Sequence, residues 1–465
     1  MQKSLLVLTL LMGCGDDGIH HLPDAPQAPD AATPDAPQAG VVTLTITQGG
    51  DPRVDVDVYF LAADSALVAK VKTNAQGVAS ATMGLGGSVT AIDPFSTKSL
   101  GRDLRTFVGV KPGDRLKLHT GGSAAQGTIV NFTLNLPTDA FASTYYVYSD
   151  CGYTNFNSGG GSGSGGGPVS FPVGFAGCGA TSDFLIETYD FNGLPVGAFY
   201  KAGVPLTAGA TVDLTAEAYT APIPTRTVNW ANVPAAYTSM NARNAIASPK
   251  GFLTDINVNP AIVTAGAATA TFTMPTVTAG ISIMASQPSP SNFIGRHTVL
   301  DWAPQGTTPI AIDLAGALLA TYSTAPSVSA AAHTITWAAS AGAMPDFAWA
   351  TLSANRLIGQ TNKFWSWDIV VPFATTMFTL PTLPTEIADL NFMATDTVNI
   401  NELTTAKVPG GYDAVRAEIL SSSPNDFVAG PSGRIAFENM DSIPTNARFA
   451  PLVRSWTTRS AQPRK

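Results

Sequence analysis

Charge is what this 465-residue chain has least of. Its 25 Lys and Arg and 33 Asp and Glu make up 12% of the residues, against roughly 25% in an average soluble domain. A surface of helices laced with Glu and Lys is excluded by that shortage. Histidine numbers 5 and cysteine 3, so groups that titrate near neutrality or bind soft metals are few. No His-Glu-x-x-His, no Gly-x-Ser-x-Gly and no Gly-Lys-Thr phosphate loop occurs, which removes the local signatures of zinc proteases, serine hydrolases and P-loop enzymes. No Lys/Arg-rich run lies inside the body, which excludes nucleic acid as the main partner. Arg448, Arg454, Arg459, Arg464 and Lys465 do follow the last acid, Asp441, and read as a solvated terminus. No metal and no cofactor is expected.

What is abundant is Gly, at 43, and Pro, at 34, beside Thr and Ala. That balance favours extended strands and turns. At this length one hydrophobic core is exceeded and two to four domains are expected.

The first forty residues differ from the rest. Lys3 and the apolar stretch from Leu5 to Met12 describe a secretory leader, since a membrane span needs about 20 apolar residues. The net charge of −8 is concentrated here, in Asp16, Asp17, Asp24, Asp30 and Asp35. Residues 15–40 repeat Pro, Asp and Ala with almost nothing to bury, which predicts a semi-stiff, disordered spacer. His20 and His21 sit in that spacer and read as solvated.

Leu11-Met12-Gly13-Cys14 resembles the lipobox of bacterial lipoproteins, with Leu three before the Cys and Gly one before it. The resemblance implies that Cys14 receives a thioether-linked diacylglycerol, that the leader is removed, and that the new N-terminus is acylated. Several acyl chains, at about 0.8 kcal/mol per buried methylene, anchor stably where one does not. The implied partner is the lipid bilayer, and the implied location is the cell envelope, at the outer membrane.

With Cys14 assigned to lipid, Cys151 and Cys178 remain as a pair in an oxidising compartment, where a disulfide is the default. The glycine-serine stretch 157–167 lies between them. Closing a loop of roughly 28 residues contributes about 3–4 kcal/mol in the chain-entropy model. Gly161, Gly163 and Gly166 formally match a dinucleotide fingerprint, but no strand precedes them and no helix follows.

The body reads as all-β, with several tandem β-sandwiches after the tether. Val54, Val56, Val58 and Phe60 alternate with polar residues, the period of a half-buried strand. A turn at Thr73-Asn74-Ala75-Gln76-Gly77 follows, then Val78-Ala79 and Val89-Thr90-Ala91. This pattern resembles the carboxypeptidase regulatory-like, transthyretin-like sandwich, which implies a structural or adhesive module without catalytic residues. Further on, an internal repeat appears. Val212-Asp213-Leu214, Tyr219 to Pro222, Val228-Asn229-Trp230 and Phe272 to Thr276 return as Ile312-Asp313-Leu314, Tyr322 to Pro326, Ile335-Thr336-Trp337 and Phe378 to Thr382. The offset of about 100 to 110 residues fits one immunoglobulin-like sandwich and exceeds a propeller blade of about 40–50; because the marker spacing is not uniform, a propeller is the structural runner-up.

These readings divide the chain into a signal peptide (1–13), a lipidated tether (14–40), a regulatory-like sandwich (41–100), a β domain with the disulfide and Gly-rich loop (101–204), a first sandwich repeat (205–304) and a second with a C-terminal extension (305–465). Thr385 to Ala394 and Tyr412 to Leu420 fit a short helix or a strand.

Candidate chemistry is sparse. His119, His297 and His333 are the remaining acid–base groups and need a distant Ser or carboxylate brought to them by the fold. Glu187, Asp190 and Asp301 have no spacing that marks them as a glycosidase pair. Trp365 and Trp367 form a possible binding platform if exposed, but alternate in step with Ile369 and Val371, the pattern of core residues. Trp230 and Trp337 read as core tryptophans. The sequence thus favours a non-enzymatic envelope lipoprotein that binds or scaffolds an envelope protein or glycan. The alternatives are a surface carbohydrate-active or peptide hydrolase with accessory sandwiches, and an adhesin.

Overall fold

The protein is described by a computed structural model. It describes residues 39–48, 51–93, 101–119, 129–139, 141–157, 169–176, 178–250, 252–289, 296–373, 376–418 and 434–441. Cys14, the tether, the Gly-rich loop and the C-terminal basic residues lie outside them.

The body is all-β. Short, β-branched, turn-punctuated segments pair into several sheets, and only a 3-10 turn at Thr385–Leu390 and one helix, Gly411–Glu418, interrupt them among the described residues. Each segment that fitted either helix or strand thus contains a helical stretch. The turn at residues 73–77 forms as its residues demand: Asn74 Oδ1 accepts from the Gln76 and Val78 amides at 2.9 and 3.0 Å. Gly77 holds φ +71, where a Cβ would lie 2.4 Å from the Ile46 carbonyl, so only glycine fits.

Three sandwiches share one closing device. The first strand of each pairs parallel with its last: Gly40–Gln48 with Arg115–His119, Ile129–Leu136 with Thr211–Asp213, and Thr225–Ala231 with Ile310–Asp313. The repeat is therefore physical, but its phase is shifted by one strand. Val212-Asp213-Leu214 and Ile312-Asp313-Leu314, read as openings, pair back onto the strand that opens the preceding sandwich. Their buried Val212, Leu214, Ile312 and Leu314 seal those cores. Asp213 and Asp313 each accept from the amide two residues on, at 3.0 and 2.8 Å, and turn the chain outward.

One sheet has twelve strands and no ring of blades is present among the described residues. Its order is Phe252–Ile262, Ser239–Ala247, Ile281–Ser289, Arg296–Pro304, Ile435–Asp441, Thr397–Lys407, Phe347–Ile358, Thr361–Pro372, Gly101–Val110, Gly87–Asp93, Asp57–Leu61 and Leu67–Lys72. The joint is parallel: Phe364 to Val370 pair with Gly101 to Phe107. Strands Gly101–Val110 and Arg115–His119, expected in the following unit, pair with Gly87–Asp93 and Gly40–Gln48 of the first sandwich.

One face of this sheet buries a single core. Val58, Phe60, Val89 and Phe107 meet Trp349, Val370 and Ala406, and also Ala245, Ile283, Ala285 and Leu300. Helix Gly411–Glu418 adds Tyr412 and Val415. The opposite face packs a second core around Trp365, Trp367, Leu352 and Leu403. The strand at Asp57–Leu61 is consequently buried on both faces, Tyr59 and Leu61 as well as Val58 and Phe60. Alternation alone predicted a half-buried strand, and the second face is covered by residues nearly 300 positions away.

Because the core is common property, a cavity at its centre is felt throughout. Phe107→Ala is expected to cost about 3–5 kcal/mol and to lower one cooperative thermal transition of the body. A calorimetric scan in which the first sandwich melts separately while the rest is unmoved contradicts the shared core.

Candidate binding groove

The Cys151–Cys178 disulfide is formed, with Cα atoms 5.0 Å apart. It ties the turn after Thr144–Ser149 to the segment leading into Thr181–Tyr189, so the intervening Gly-rich stretch is closed at its base. Ser149 Oγ accepts the Cys151 amide at 3.1 Å.

Trp365 and Trp367 are core residues, as their alternation with Ile369 and Val371 favoured, and form no exposed platform. Both rings are buried, at 0% and 1% exposure. Trp365 lies beneath the Arg356 guanidinium at 5.1 Å, and Arg356 is itself fixed by two 2.7 Å bonds to Asp396. Trp367 Nε1 donates to Thr106 Oγ1 at 2.8 Å across the parallel joint. These rings hold the sheet together and have no face left for a ligand. Trp230 is likewise a core residue, its Nε1 donating to Ser286 Oγ at 2.8 Å, and Trp337 is buried against Phe373 and Phe378.

The histidines are spread. His119 ends a strand opposite Thr47. His333 is a turn residue with φ +52, and its Nε2 is 2.8 Å from the Phe392 carbonyl. His297 is buried, edge-on to Tyr237 with centroids 6.0 Å apart. Asp301 pairs with Arg434 at 2.9 Å, and Asp190 caps a turn by accepting the Asn192 and Leu194 amides at 2.8 Å each. The three carboxylates considered for glycoside cleavage therefore have separate structural partners.

A groove of about 440 Å³ lies at one end of the twelve-stranded sheet. Asn241, Arg243, Asn257, Gln287, Ser289 and Arg296 line it. Register explains the set. Asn241 lies opposite Gln287, and Arg243 opposite both Asn257 and Ala285, so all share the face that carries Ala245 and Ala285 in the core. Toward the strand ends that apolar face turns polar. Arg243 is ion-paired with Asp255, and Gln287 Nε2 donates to Thr298 Oγ1 at 3.1 Å. Arg296 is exposed and adds a second arginine to the lining.

His297 and Ser289 both border this groove, yet alternation separates them. Successive side chains on a strand point to opposite faces. Thr298, bonded to Gln287, shares the groove face, so its neighbour His297 points through the sheet toward Tyr237. Ser289 keeps the parity of Gln287 and stays on the groove side. A serine and a histidine thus adjoin one cavity without meeting. Sequence reasoning missed the groove because its amides and arginines come from four strands and no local motif joins them.

Glu187 is a buried acid with a specific partner. It sits at 3% exposure, and the Tyr189 hydroxyl donates to its Oε2 at 2.8 Å. Burial pushes its pKa up from 4.5 to about 7, with the Tyr189 bond opposing. Since the folded state holds the proton more tightly than the unfolded chain, stability is fullest below about pH 4.5 and falls as pH rises towards 7. The loss amounts to about 3 kcal/mol. Glu187→Gln keeps an acceptor for Tyr189 and is expected to flatten that pH dependence and stabilise the protein at pH 8. Equal chemical midpoints for the variant and the parent at pH 8 contradict this account.

No protein-family model matches the chain, and no curated protein matches it. Among solved structures it is similar to the Bacillus anthracis TIE protein at 10% identity and TM-score 0.15, over 59% of this chain. This chain spans half, 50%, of that protein. It is similar to the tip fimbrial protein Mfa3 from Porphyromonas gingivalis at 8% identity and TM-score 0.16, over 52% of this chain and 99% of that one. A putative adhesin from Bacteroides ovatus gives 10% identity and TM-score 0.16, over 40% and 92%. Likenesses of this size bear on neither ligand nor partner.

Proposed function

We propose that this chain is an exported, lipid-anchored envelope protein of the outer membrane that binds a partner without transforming it. Acylated Cys14 holds it to the bilayer, and the Pro/Asp/Ala segment spaces the β body from the surface. The groove at the end of the shared sheet receives a polar part of an envelope protein or glycan. The observation that carries this reading is the groove's lining: amides and arginines converge there, while the one histidine beside it is turned into the opposite core. Such a site offers directed hydrogen bonds from amides and guanidinium groups, which suits recognition. It offers no nucleophile next to a base, which acyl or glycosyl transfer requires.

Two measurements test the proposal. Mass spectrometry of the native product is expected to find diacylglycerol and an acyl chain on Cys14 and no leader. A photo-crosslinking residue placed at Ser289 in intact cells is expected to give a discrete adduct that Arg296→Ala weakens, whereas the same residue at exposed Lys201 gives none. A bare Cys14 removes the anchor. Turnover of glycan or peptide panels by the purified protein removes the non-enzymatic assignment.

A further inference from the structure

A second face of the molecule carries a different chemistry. Strand Gly152–Asn157 is the edge of a four-stranded sheet ordered Gly152–Asn157, Thr144–Ser149, Thr181–Tyr189, Pro195–Pro205. Tyr145, Val147, Phe184 and Ile186 fill the inner core of that sandwich. The alternate residues point outward, and on the two strands at this edge they include Tyr146, Tyr148, Tyr153, Asn155 and Asn157. Tyr153 lies opposite Tyr148, Asn155 opposite Tyr146, and Asn157 opposite Thr144.

The rings form a row. Tyr153 and Tyr148 are near-parallel, with centroids 6.2 Å apart and planes at 20°. Tyr148 and Tyr146 follow at 6.1 Å and 14°. Tyr189 meets Tyr146 edge-on at 4.9 Å and is fixed by its bond to Glu187. The inner end is covered: Tyr148 is partly buried and its hydroxyl bonds Thr254 of the neighbouring sheet. The outer end is open: Tyr153 is 59% exposed, and Asn155 and Asn157 are exposed beside it. The Thr144 hydroxyl donates to Asn157 Oδ1 at 3.1 Å, which orients that amide.

We infer that the Tyr153–Tyr148–Tyr146 row, flanked by Asn155 and Asn157, is a binding platform for a neutral saccharide. Charge selects the ligand class. The described residues on the open part of the face, Tyr153, Asn155 and Asn157, carry no charge, and Glu187 behind them is buried and engaged by Tyr189. An anionic polymer or a basic peptide finds no counter-charge there. A pyranose ring has an apolar face of C–H bonds that lies on an aromatic ring, and a rim of hydroxyls that pair with amides. Tyrosine rings and asparagine amides at one register supply both. Size agrees. A specific protein interface needs about 800 Å² and 20–30 residues per partner, far more than three edge-strand residues and the half-buried rings beside them. The platform is separate from the groove and independent of its role.

The test uses the full-length lipoprotein in detergent micelles and neutral oligosaccharides of glucose, mannose, galactose and N-acetylglucosamine, titrated by calorimetry. At least one is expected to bind. Tyr153→Ala is expected to weaken it about tenfold, the equivalent of about 1.4 kcal/mol, while Tyr153→Phe stays within about threefold because the ring remains. Asn155→Ala is expected to weaken it as well, and Arg296→Ala to leave it unchanged. Circular dichroism and melting checks confirm that each variant is folded. Absence of binding by the folded parent across the panel overturns the inference, as does binding indifferent to Tyr153→Ala. Exposed Phe141 and Phe191, at 78% and 86%, lie on loops of the same sandwich. A ligand lost on Phe191→Ser but kept on Tyr153→Ala marks a protein or lipid contact and also overturns it.

Discussion

The parallel ladder between Gly101–Val110 and Thr361–Pro372 is the constraint on which the rest of the body depends. Parallel pairs form only when a long connection returns the chain in the same direction. Here more than 250 residues, including two complete sandwiches, intervene. Once made, the ladder places Phe107 against Val370 and Arg105 against Asp368. The first pair extends the apolar core and the second meets it with a charge pair 3.6 Å apart. Burial there pushes the Asp368 pKa up to about 6, and Arg105 opposes the shift. Burying a charge pair costs desolvation that its attraction only partly returns, so the ladder is held by the rings around it. Trp367 binds Thr106 across the joint, and Thr106 in turn meets Thr90 at 2.9 Å. Register is thereby fixed by side chains on both faces, and a slip of one residue would exchange the two cores.

That arrangement explains what the sequence could and could not reveal. Strand character was legible because it is local: alternation at Val56, Val58 and Phe60, the Asn74 turn and the Asp213 and Asp313 turns act within a few residues. The hundred-residue period was legible because Val228-Asn229-Trp230 and Ile335-Thr336-Trp337 recur at that offset on two core-facing strands. The phase was not, because a closing strand is defined by its parallel partner some 80 residues earlier, and no local feature distinguishes it from an opening one. The twelve-stranded sheet was invisible for the same reason. Trp365 and Trp367 read correctly as alternating with Ile369 and Val371, and that alternation, more than their aromaticity, decided their fate.

The functional surfaces follow from where cores end. A sheet face stays apolar as far as another layer covers it, and beyond that edge polar residues take over at the same parity. Ala245 and Ala285 give way to Arg243, Asn241 and Gln287 along their own strands, and the groove is the place where that change occurs on several neighbouring strands at once. The Tyr146–Tyr148–Tyr153 row arises in the same way. Its inner end is covered by the neighbouring sheet through Thr254, and its outer end runs past the cover onto an edge strand. Edge strands present unpaired backbone groups and invite aberrant pairing, and here the Cys151–Cys178 closure sits at the end of that edge. A rigid base beside an open, ring-bearing edge meets the requirement of a binding platform, because rings already held in place lose little freedom when a ligand arrives.

Buried acids set the remaining condition. Glu187 and Asp368 both have pKa values raised by burial, to about 7 and about 6, and both stand where two layers of structure meet. In each case the proton is held more firmly folded than unfolded, so mild acidity strengthens these junctions and alkalinity weakens them. The two groups differ in what opposes the shift. Asp368 has Arg105 beside it, which returns part of the cost of ionisation. Glu187 has only the Tyr189 hydroxyl, a neutral donor whose own ionisation is suppressed by the same burial and by Glu187 itself. The junction beneath the tyrosine row is therefore the more pH-sensitive of the two, and its titrating carboxyl is the acceptor that holds Tyr189 edge-on to Tyr146.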